Sequence, residues 1–113
     1  MIKNAGDQFK LLIVIVKKEL SRTVIRACKE GGSDGGTVLL GRGTGKFESG
    51  SIFGFKVETE KAVILSVIPD HLVDSVIASV EKSANLHKPG TGIAFVVNSK
   101  TICGVAHLLK NDF

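Results

Sequence analysis

An internal repeat is the feature that most constrains how this chain can fold. Shifting the sequence by 52 residues superimposes four pairs of apolar residues: Val16 on Ile68, Leu20 on Leu72, Val24 on Val76 and Ile25 on Ile77. Each half therefore carries the same succession of strand-like and helix-like patterns. Because 113 residues accommodate one domain, we expect both halves to share one core in a single domain over residues 1–113.

The first half reads as strand, helix and strand. Residues 9–16 are rich in branched apolar side chains, which is typical of a buried strand. Residues 19–30 carry an apolar stripe at helical spacing, formed by Leu20, Val24, Ala27 and Cys28. Gly31 and Gly32 predict the end of this helix, and residues 37–40 begin a second strand. Glycine is frequent from there to Gly54, so we interpret residues 41–55 mainly as a long, mobile loop with strands running into its two ends.

The second half repeats this order. Residues 62–68 predict a strand, and Pro69 followed by Asp70 predicts a helix start with Asp70 as the capping residue. The apolar face of that helix is formed by Leu72, Val73, Val76, Ile77 and Val80. A further strand is predicted at residues 93–97, and a short last strand near residues 102–108.

Two strand–helix–strand units predict a βαββαβ order. Right-handed crossovers then imply an α+β fold, the ferredoxin-like sandwich, with both helices on one face of an antiparallel sheet. The strands alternate poorly between apolar and polar residues, so the other sheet face stays apolar. A symmetric oligomer would cover that face.

Composition excludes several classes of protein. The longest apolar run, residues 11–16, is far shorter than the roughly 20 residues of a membrane span, so we expect a cytoplasmic chain that is not membrane-embedded. Cys28 and Cys103 lie in apolar surroundings and are predicted to be buried thiols. The histidines show no ligand spacing, which predicts no structural metal.

Two glycine-rich segments are candidate anion sites. In residues 41–46, alternating glycines expose backbone N–H groups, and Arg42 and Lys46 add charge. This segment is not a P-loop, because Leu40 replaces the first glycine; a flexible hairpin tip is the alternative. Residues 88–92 repeat the Gly-Thr-Gly pattern, with a tight helix-to-strand turn as the alternative. In an oligomer the two segments could meet across an interface.

Catalytic and nucleic-acid signatures are weak. Residues 79–82 spell Ser-x-x-Lys without its partner motifs, so we predict that the protein is not an enzyme. The net charge of +4 suits RNA as well as small anions, and the RNA-recognition motif shares the predicted topology. Its glycine-aromatic signature, faintly present at residues 92–97, would lie on the wrong strand, and stacking aromatics are lacking. We therefore predict no nucleic-acid partner.

Over residues 9–107 the chain resembles the PII nitrogen-regulatory protein family. The order and spacing of several segments carry the resemblance: residues 36–38, 43–46, 67–70, 73–74, 88–92 and 95–96. The resemblance implies a homotrimer with ATP or ADP in clefts between subunits. It also implies a T-loop, residues 41–60, that senses 2-oxoglutarate and docks on a regulated partner such as a membrane transporter or a metabolic enzyme.

Residue by residue, the resemblance places eight positions at the nucleotide. One side of the nucleotide cleft would be lined by Thr37, Gly43, Gly45 and Lys46. The other side would be lined by Lys88, Gly90 and Gly92, and Lys61 matches the family's lysine at the far base of the T-loop. The T-loop itself is unusually apolar and would present a docking surface formed by Phe47, Ile52, Phe53 and Phe55.

The chain also departs from the family pattern. Ile93 stands where the family has a phosphate-binding lysine, Gly104 and Ala106 replace its two arginines, and Phe47 replaces a glutamine that helps hold 2-oxoglutarate. The main hypothesis is a nitrogen-regulation signalling protein that senses an adenine nucleotide and acts through its T-loop. The alternative is an adaptor for a membrane transporter with altered or absent nucleotide binding. A third hypothesis, a small ferredoxin-like enzyme or metal-handling trimer, lacks visible catalytic or ligand groups.

Overall fold

A computed structural model of the chain describes residues 2–3, 8–44, 51–52, 55–56 and 59–104. Eight strands and two α-helices lie in these ranges. In chain order they are β1 Ile2–Lys3, β2 Phe9–Lys17, α1 Ser21–Glu30, β3 Thr37–Gly43, β4 Ser51–Ile52, β5 Phe55–Lys56, β6 Thr59–Pro69, α2 Val73–Ala84, β7 Gly92–Asn98 and β8 Thr101–Ile102.

The main sheet confirms the predicted architecture. Its four strands lie in the order β3-β6-β2-β7, and every neighbouring pair is antiparallel. Both helices pack against the same face, where their apolar stripes meet alternate residues of β2 and β6. This is the α+β, ferredoxin-like arrangement that two strand–helix–strand units predict.

The internal repeat extends to details that the apolar pattern does not reveal. One turn of 3-10 helix precedes each α-helix, at Lys18–Leu20 and at Asp70–Leu72, so these turns occupy equivalent positions in the two halves. The prediction of Asp70 as a helix cap is wrong, because Pro69 precedes the 3-10 turn and no side chain caps it. Asp70 is the first residue of that turn, and its Oδ1 atom lies 3.7 Å from Nζ of Lys10.

The core lies between the helices and the sheet. Its buried members come from both repeats: Leu12, Val14, Val16, Val24, Ala27, Cys28, Ala62, Ile64, Ile68, Val76, Val80 and Ala84. The helices approach closely at Gly31, where a Cβ atom would lie 2.6 Å from the Cα of Val76. Ser75 and Ser79 donate hydrogen bonds to carbonyls of Gly31 and Ala27, at 2.8 and 2.7 Å. The end of α1 is therefore held directly on α2.

The two cysteines differ in environment. Cys28 is buried in the core, as predicted, and burial raises the pKa of its thiol. The prediction for Cys103 is wrong, because its side chain is exposed. Cys103 follows β8, which pairs with β1 and not with the main sheet, so the apolar residues around it in sequence do not enclose it.

The second face of the main sheet is apolar, as the poor alternation predicts. Cross-strand pairing aligns its side chains in three rows: Leu39, Val63, Ile15 and Ile93; then Thr37, Leu65, Ile13 and Phe95; then Val67, Leu11 and Val97. We call these residues the open face. Ile93 and Leu39 are 56% and 51% exposed, so the chain alone leaves much of the open face in contact with solvent.

Strands run into both ends of the predicted loop, since β3 continues to Gly43 and β6 begins at Thr59. Between them β4 pairs with β5, and the backbones of Ile52 and Phe55 lie opposite each other. Four of the binding and docking residues predicted in this loop lie outside the described residues: Gly45, Lys46, Phe47 and Phe53. Among the described residues, no helix has both the length and the hydropathy to cross a bilayer.

Candidate functional site

The base of the loop gathers positive charge from neighbouring strands. Lys61 on β6 lies opposite Gly41 on β3 and opposite Lys17 on β2. Directly opposed residues in an antiparallel sheet place their Cβ atoms about 4.5–5.5 Å apart. Two lysines are therefore held side by side, on the same side of the sheet as the open face.

This arrangement alters the protonation of Lys61. Burial lowers the pKa of its ammonium group, and the nearby positive charge of Lys17 lowers that pKa further. Both effects disfavour a charged Lys61. An anion bound next to the two lysines would oppose the like-charge repulsion, so this end of the sheet has the electrostatics of an anion site.

An ion pair lies on the other side of the same sheet end. Nζ of Lys18 is 2.8 Å from Oε2 of Glu60, which joins the 3-10 turn after β2 to the start of β6. The contact lowers the pKa of Glu60 and raises that of Lys18, and Arg42, which lies opposite Glu60, also lowers the Glu60 pKa. The positive charges of Lys18 and Arg42 therefore both favour the ionised Glu60 carboxylate, and Lys18 contributes most because it contacts that group directly.

A small cavity adjoins this ion pair. Its volume is about 210 Å³, and its lining residues are Lys18, Leu40, Gly41, Arg42 and Glu60. Typical sites for cofactors and other small molecules occupy roughly 300–1,000 Å³. The cavity that the described residues form here is therefore smaller than a typical cofactor site.

The glycines of this segment differ in their surroundings. A Cβ atom on Gly41 would meet no heavy atom within 4 Å, whereas one on Gly43 would lie 3.5 Å from Cγ of Lys61. The backbone at Gly41 is thus open to an approaching ligand. Gly43 brings the chain close to Lys61, which unites two of the predicted site residues.

The second glycine-rich segment is a hydrogen-bonded turn. Asn85 ends α2 in the left-handed conformation, with φ of 54°. The Thr91 hydroxyl lies within donating distance of the carbonyls of Asn85 and Lys88, at 2.9 and 3.0 Å. Gly90 has a φ of 82°, which favours glycine. These contacts are those of the tight turn considered as an alternative.

Gly92 has a packing role of its own. Its φ is 154°, and a Cβ atom there would lie 2.6 Å from the Ile15 carbonyl oxygen and 2.6 Å from Cγ1 of Val16. Glycine at this position is therefore required for β7 to approach β2. That requirement holds whether or not the segment binds a ligand.

Both glycine-rich segments lie at the same end of the sheet, but on its two outer strands. A single row of paired residues runs from Leu40 through Ala62 and Val16 to Gly92. With β6 and β2 between them, the outer strands are three interstrand spacings apart, roughly 14 Å. One chain alone therefore leaves a wide gap between the two segments.

Thr37 lies elsewhere on the sheet. It begins β3, six residues before Gly43, which corresponds to roughly 20 Å along an extended strand. The structure therefore brings Gly43 and Lys61 together but does not bring Thr37 to them within one chain. Lys88 is exposed on the turn before β7.

Sequence reasoning missed three members of this sheet end: Lys17, Lys18 and Glu60. The register of β2 against β6 brings them together, and that register joins residues more than 40 positions apart. The 52-residue repeat aligns the two strands without revealing which residues lie opposite each other.

Two of the departures from the family pattern can be located. Ile93 lies on β7 with its side chain in the first row of the open face, and Gly104 has a φ of 91° with no neighbour within 4 Å of a hypothetical Cβ. Ala106 lies outside the described residues. Within the described ranges, no group of three or more His, Cys, Asp and Glu side chains is arranged to hold a metal ion.

Comparison with known proteins agrees with this architecture. A search among curated proteins finds no match to the chain. The family model described as nitrogen regulatory protein P-II matches residues 9–105, which includes the whole main sheet, both helices and both glycine-rich segments. On that match, and with the ferredoxin-like fold described above, the chain belongs to the nitrogen regulatory protein P-II family.

Proposed function

We propose that this protein is a non-catalytic regulator that senses an adenine nucleotide, ATP or ADP, and controls a partner protein through its T-loop. Membership of the P-II family makes it a nitrogen-regulatory signalling protein in general terms. The observation that carries the finer proposal is the pairing of Lys17 with Lys61 beside the open backbone of Gly41. Clustered cations and accessible backbone N–H groups together suit a phosphate-bearing ligand.

A homotrimer is part of the proposal. The open face presents large apolar side chains to solvent, and neighbouring copies of the chain would remove them from water. The two glycine-rich segments lie at the two outer strands of the sheet, β3 and β7. In a ring of three chains, the β3 edge of one chain would therefore approach the β7 edge of the next chain. The nucleotide would then occupy clefts between subunits.

The T-loop would transmit the binding event. Gly43 and Thr59 pair at the point where the main sheet ends and the loop begins, and Lys61 lies two residues further along β6. A ligand held by Lys17 and Lys61 would therefore contact β6, one of the two strands that carry the loop, and would lie next to Gly41 on β3, the other one. Binding would shift the loop between a free state and a partner-docking state, in which Phe47, Ile52, Phe53 and Phe55 meet the partner.

Isothermal titration calorimetry on the full chain tests nucleotide sensing. We expect ATP with magnesium, or ADP, to bind with a dissociation constant in the micromolar range, about −8 kcal/mol, at up to three sites per trimer. Lys61→Ala should weaken binding by about tenfold or more, since a charge-assisted hydrogen bond contributes about 1.5–3 kcal/mol. Lys82→Ala, at an exposed site on α2, is the control and should leave the affinity unchanged.

The departures from the family pattern favour one alternative function. Ile93 and Gly104 supply no positive charge where the family has phosphate-binding residues. An adaptor for a membrane transporter, with altered or absent nucleotide binding, is therefore the second candidate. Titrations with AMP and with 2-oxoglutarate, beside those with ATP and ADP, distinguish the nucleotide sensor from the adaptor. Binding of AMP alone would indicate an altered ligand. No heat with any nucleotide would contradict nucleotide sensing.

Deleting residues 47–55 tests the role of the T-loop. We expect the deletion to abolish capture of a partner by the immobilised protein while leaving the ferredoxin-like fold intact, as judged by circular dichroism. The deletion removes the apolar docking residues but leaves Lys17 and Lys61 in place. Unchanged capture of the same partner would refute regulation through the T-loop.

A further inference from the structure

A second cationic surface lies on α1, away from the paired lysines. A groove of about 390 Å³ separates α1 from β3, and its lining residues are Ser21, Arg22, Ile25, Arg26, Lys29 and Val38. We call it the α1 groove. It shares no lining residue with the cavity at the base of the loop.

The three cations of the α1 groove lie on one face of the helix. Arg22, Arg26 and Lys29 are separated by four and three residues, the spacing that aligns side chains along a helix. All three are exposed. At 1.5 Å per residue the row is roughly 10 Å long, which is longer than a single carboxylate or phosphate group can cover.

Within the part of the chain that the structure describes, no carboxylate forms an ion pair with this row. The salt bridges found among the described residues join Lys10 to Asp70 and Lys18 to Glu60, and neither involves α1. Burial of the helix is confined to its other face, at Val24, Ala27 and Cys28. The groove therefore presents positive charge that an external partner can meet.

Two of the residues that line the groove are apolar, Ile25 on α1 and Val38 on β3. Val38 on β3 is 41% exposed, and Ile25 is only partly buried against the core. A purely charged ligand would leave these two side chains in water. The α1 groove thus combines a row of three cations with a small apolar surface between the helix and the sheet.

We propose that the α1 groove is a docking surface for an acidic segment of a partner protein that carries an apolar side chain. Carboxylates along the segment would meet Arg22, Arg26 and Lys29, and the apolar residue would insert against Ile25 and Val38. Arginines also favour such a partner, because their planar guanidinium groups bind carboxylates through two parallel hydrogen bonds. The groove offers no aromatic side chain for stacking a base, which favours a peptide over a nucleic acid.

The probe for this proposal is a fluorescein-labelled synthetic helical peptide. Its glutamates have the same spacing as the three cations, and it carries a leucine between them. Fluorescence anisotropy with the full chain measures its affinity. We expect Arg26→Glu to weaken binding by more than about tenfold, or about 1.4 kcal/mol. The control Lys82→Glu makes the same change of charge on α2 and should weaken binding by less than about threefold, through the general field of the protein.

Further measurements decide between occupants. Replacing the peptide's leucine with serine should weaken binding, and backbone amide shifts in NMR spectra should change along α1 and β3. Three results would each overturn the proposal: no binding of the peptide, equal weakening by Arg26→Glu and Lys82→Glu, or tighter binding of a single-stranded DNA oligonucleotide than of the peptide. The proposal does not depend on nucleotide sensing, so the peptide's affinity should be the same with and without ATP.

Discussion

The hydroxyl oxygens of Ser33 and Ser66 lie 2.7 Å apart in the protein interior, one on the turn after α1 and the other on β6. Both also lie within hydrogen-bonding distance of the Gly35 carbonyl oxygen, Ser66 at 2.6 Å and Ser33 at 3.0 Å. The three groups tie the turn to the sheet just before β3 begins. Because β3 runs into the segment that we propose to be the T-loop, this contact holds the start of one of the two strands that flank that segment.

Ser66→Ala tests this contact. The substitution removes the contacts of Ser66 with the Ser33 hydroxyl and with the Gly35 carbonyl, and leaves those two groups only their contact with each other. At about 0.5–1.5 kcal/mol for each lost hydrogen bond, we expect the free energy of unfolding to fall by about 1–3 kcal/mol. Urea denaturation measures the loss. Ser83→Ala, at an exposed position of α2, is the matched control and should change the free energy of unfolding little. Equal effects of the two substitutions would show that the buried contact contributes nothing.

Gly92→Ala should destabilise the protein more than Gly41→Ala. Alanine at position 92 would place its Cβ atom 2.6 Å from the Ile15 carbonyl oxygen at a positive φ, whereas alanine at position 41 would meet nothing within 4 Å. Backbone strain of this kind costs about 1–3 kcal/mol. Thermal unfolding monitored by circular dichroism checks the difference. A smaller loss for Gly92→Ala than for Gly41→Ala would contradict the close approach of β7 to β2.

The fold could be predicted from the sequence because its signals are local and repeated. Runs of branched apolar residues predict β2 and β6, and apolar residues at helical spacing predict α1 and α2. The internal repeat indicates that both halves form the same strand–helix–strand unit. Proline followed by aspartate predicts a capped helix start at Asp70, but a 3-10 turn lies between Pro69 and the first residue of α2. Cys103 was assigned to the interior because its sequence neighbours are apolar, although β8 lies outside the main sheet.

The candidate site was harder to predict. The glycines and Lys61 could be proposed from motif and resemblance, but the side-by-side placement of Lys17 and Lys61 depends on strand register. Register is set by contacts between distant parts of the chain. A one-residue slip would place Lys17 and Lys61 on opposite faces of the sheet. No local pattern in the sequence therefore points to this pair.

Lys18→Ala should raise the pKa of Glu60 towards the usual value of about 4.3 for a glutamate. In the native protein the Lys18 ammonium donates to the Glu60 carboxylate and lowers that pKa. NMR titration of the Glu60 side-chain carboxyl carbon measures the change. Lys29→Ala removes a distant positive charge from the exposed face of α1 and should leave the Glu60 titration as it is.

The same ion pair gives stability a pH dependence. A carboxyl whose pKa is lower in the folded than in the unfolded protein stabilises the fold above its unfolded pKa, and that contribution is lost as the pH falls through the folded pKa. The wild type should therefore exceed Lys18→Ala in stability at neutral pH, and the two should converge in acid. The pair is exposed, so the difference is small. A gap that widens in acid would contradict this assignment.

Lys17→Ala should raise the pKa of Lys61. Burial lowers that pKa first and the Lys17 charge adds to the effect, so removing Lys17 leaves only burial. When the pKa of a lysine is lower in the folded than in the unfolded protein, the free energy of unfolding rises as the pH increases from the folded pKa to the unfolded pKa. Because these two pKa values of Lys61 lie closer together in Lys17→Ala, the free energy of unfolding of the variant should rise less over this pH range. NMR titration of the Lys61 Cε resonance measures the pKa, with Lys82→Ala as the control. No change on removing Lys17 would show that the two charges do not interact.

Phe95→Glu should convert the proposed trimer into a monomer. Phe95 lies in the middle row of the open face and is 40% exposed in the isolated chain. Burying a glutamate without a partner in an apolar interface costs several kcal/mol, so association should be lost.

Light scattering after size-exclusion chromatography should give about three times the chain mass of 12.0 kDa for the wild type and a single chain mass for the variant. Asn98→Glu, on the same strand with its side chain on the helix side, should keep the trimer. A wild type that is already monomeric, or a trimeric Phe95→Glu variant, would show that the open face does not join the subunits.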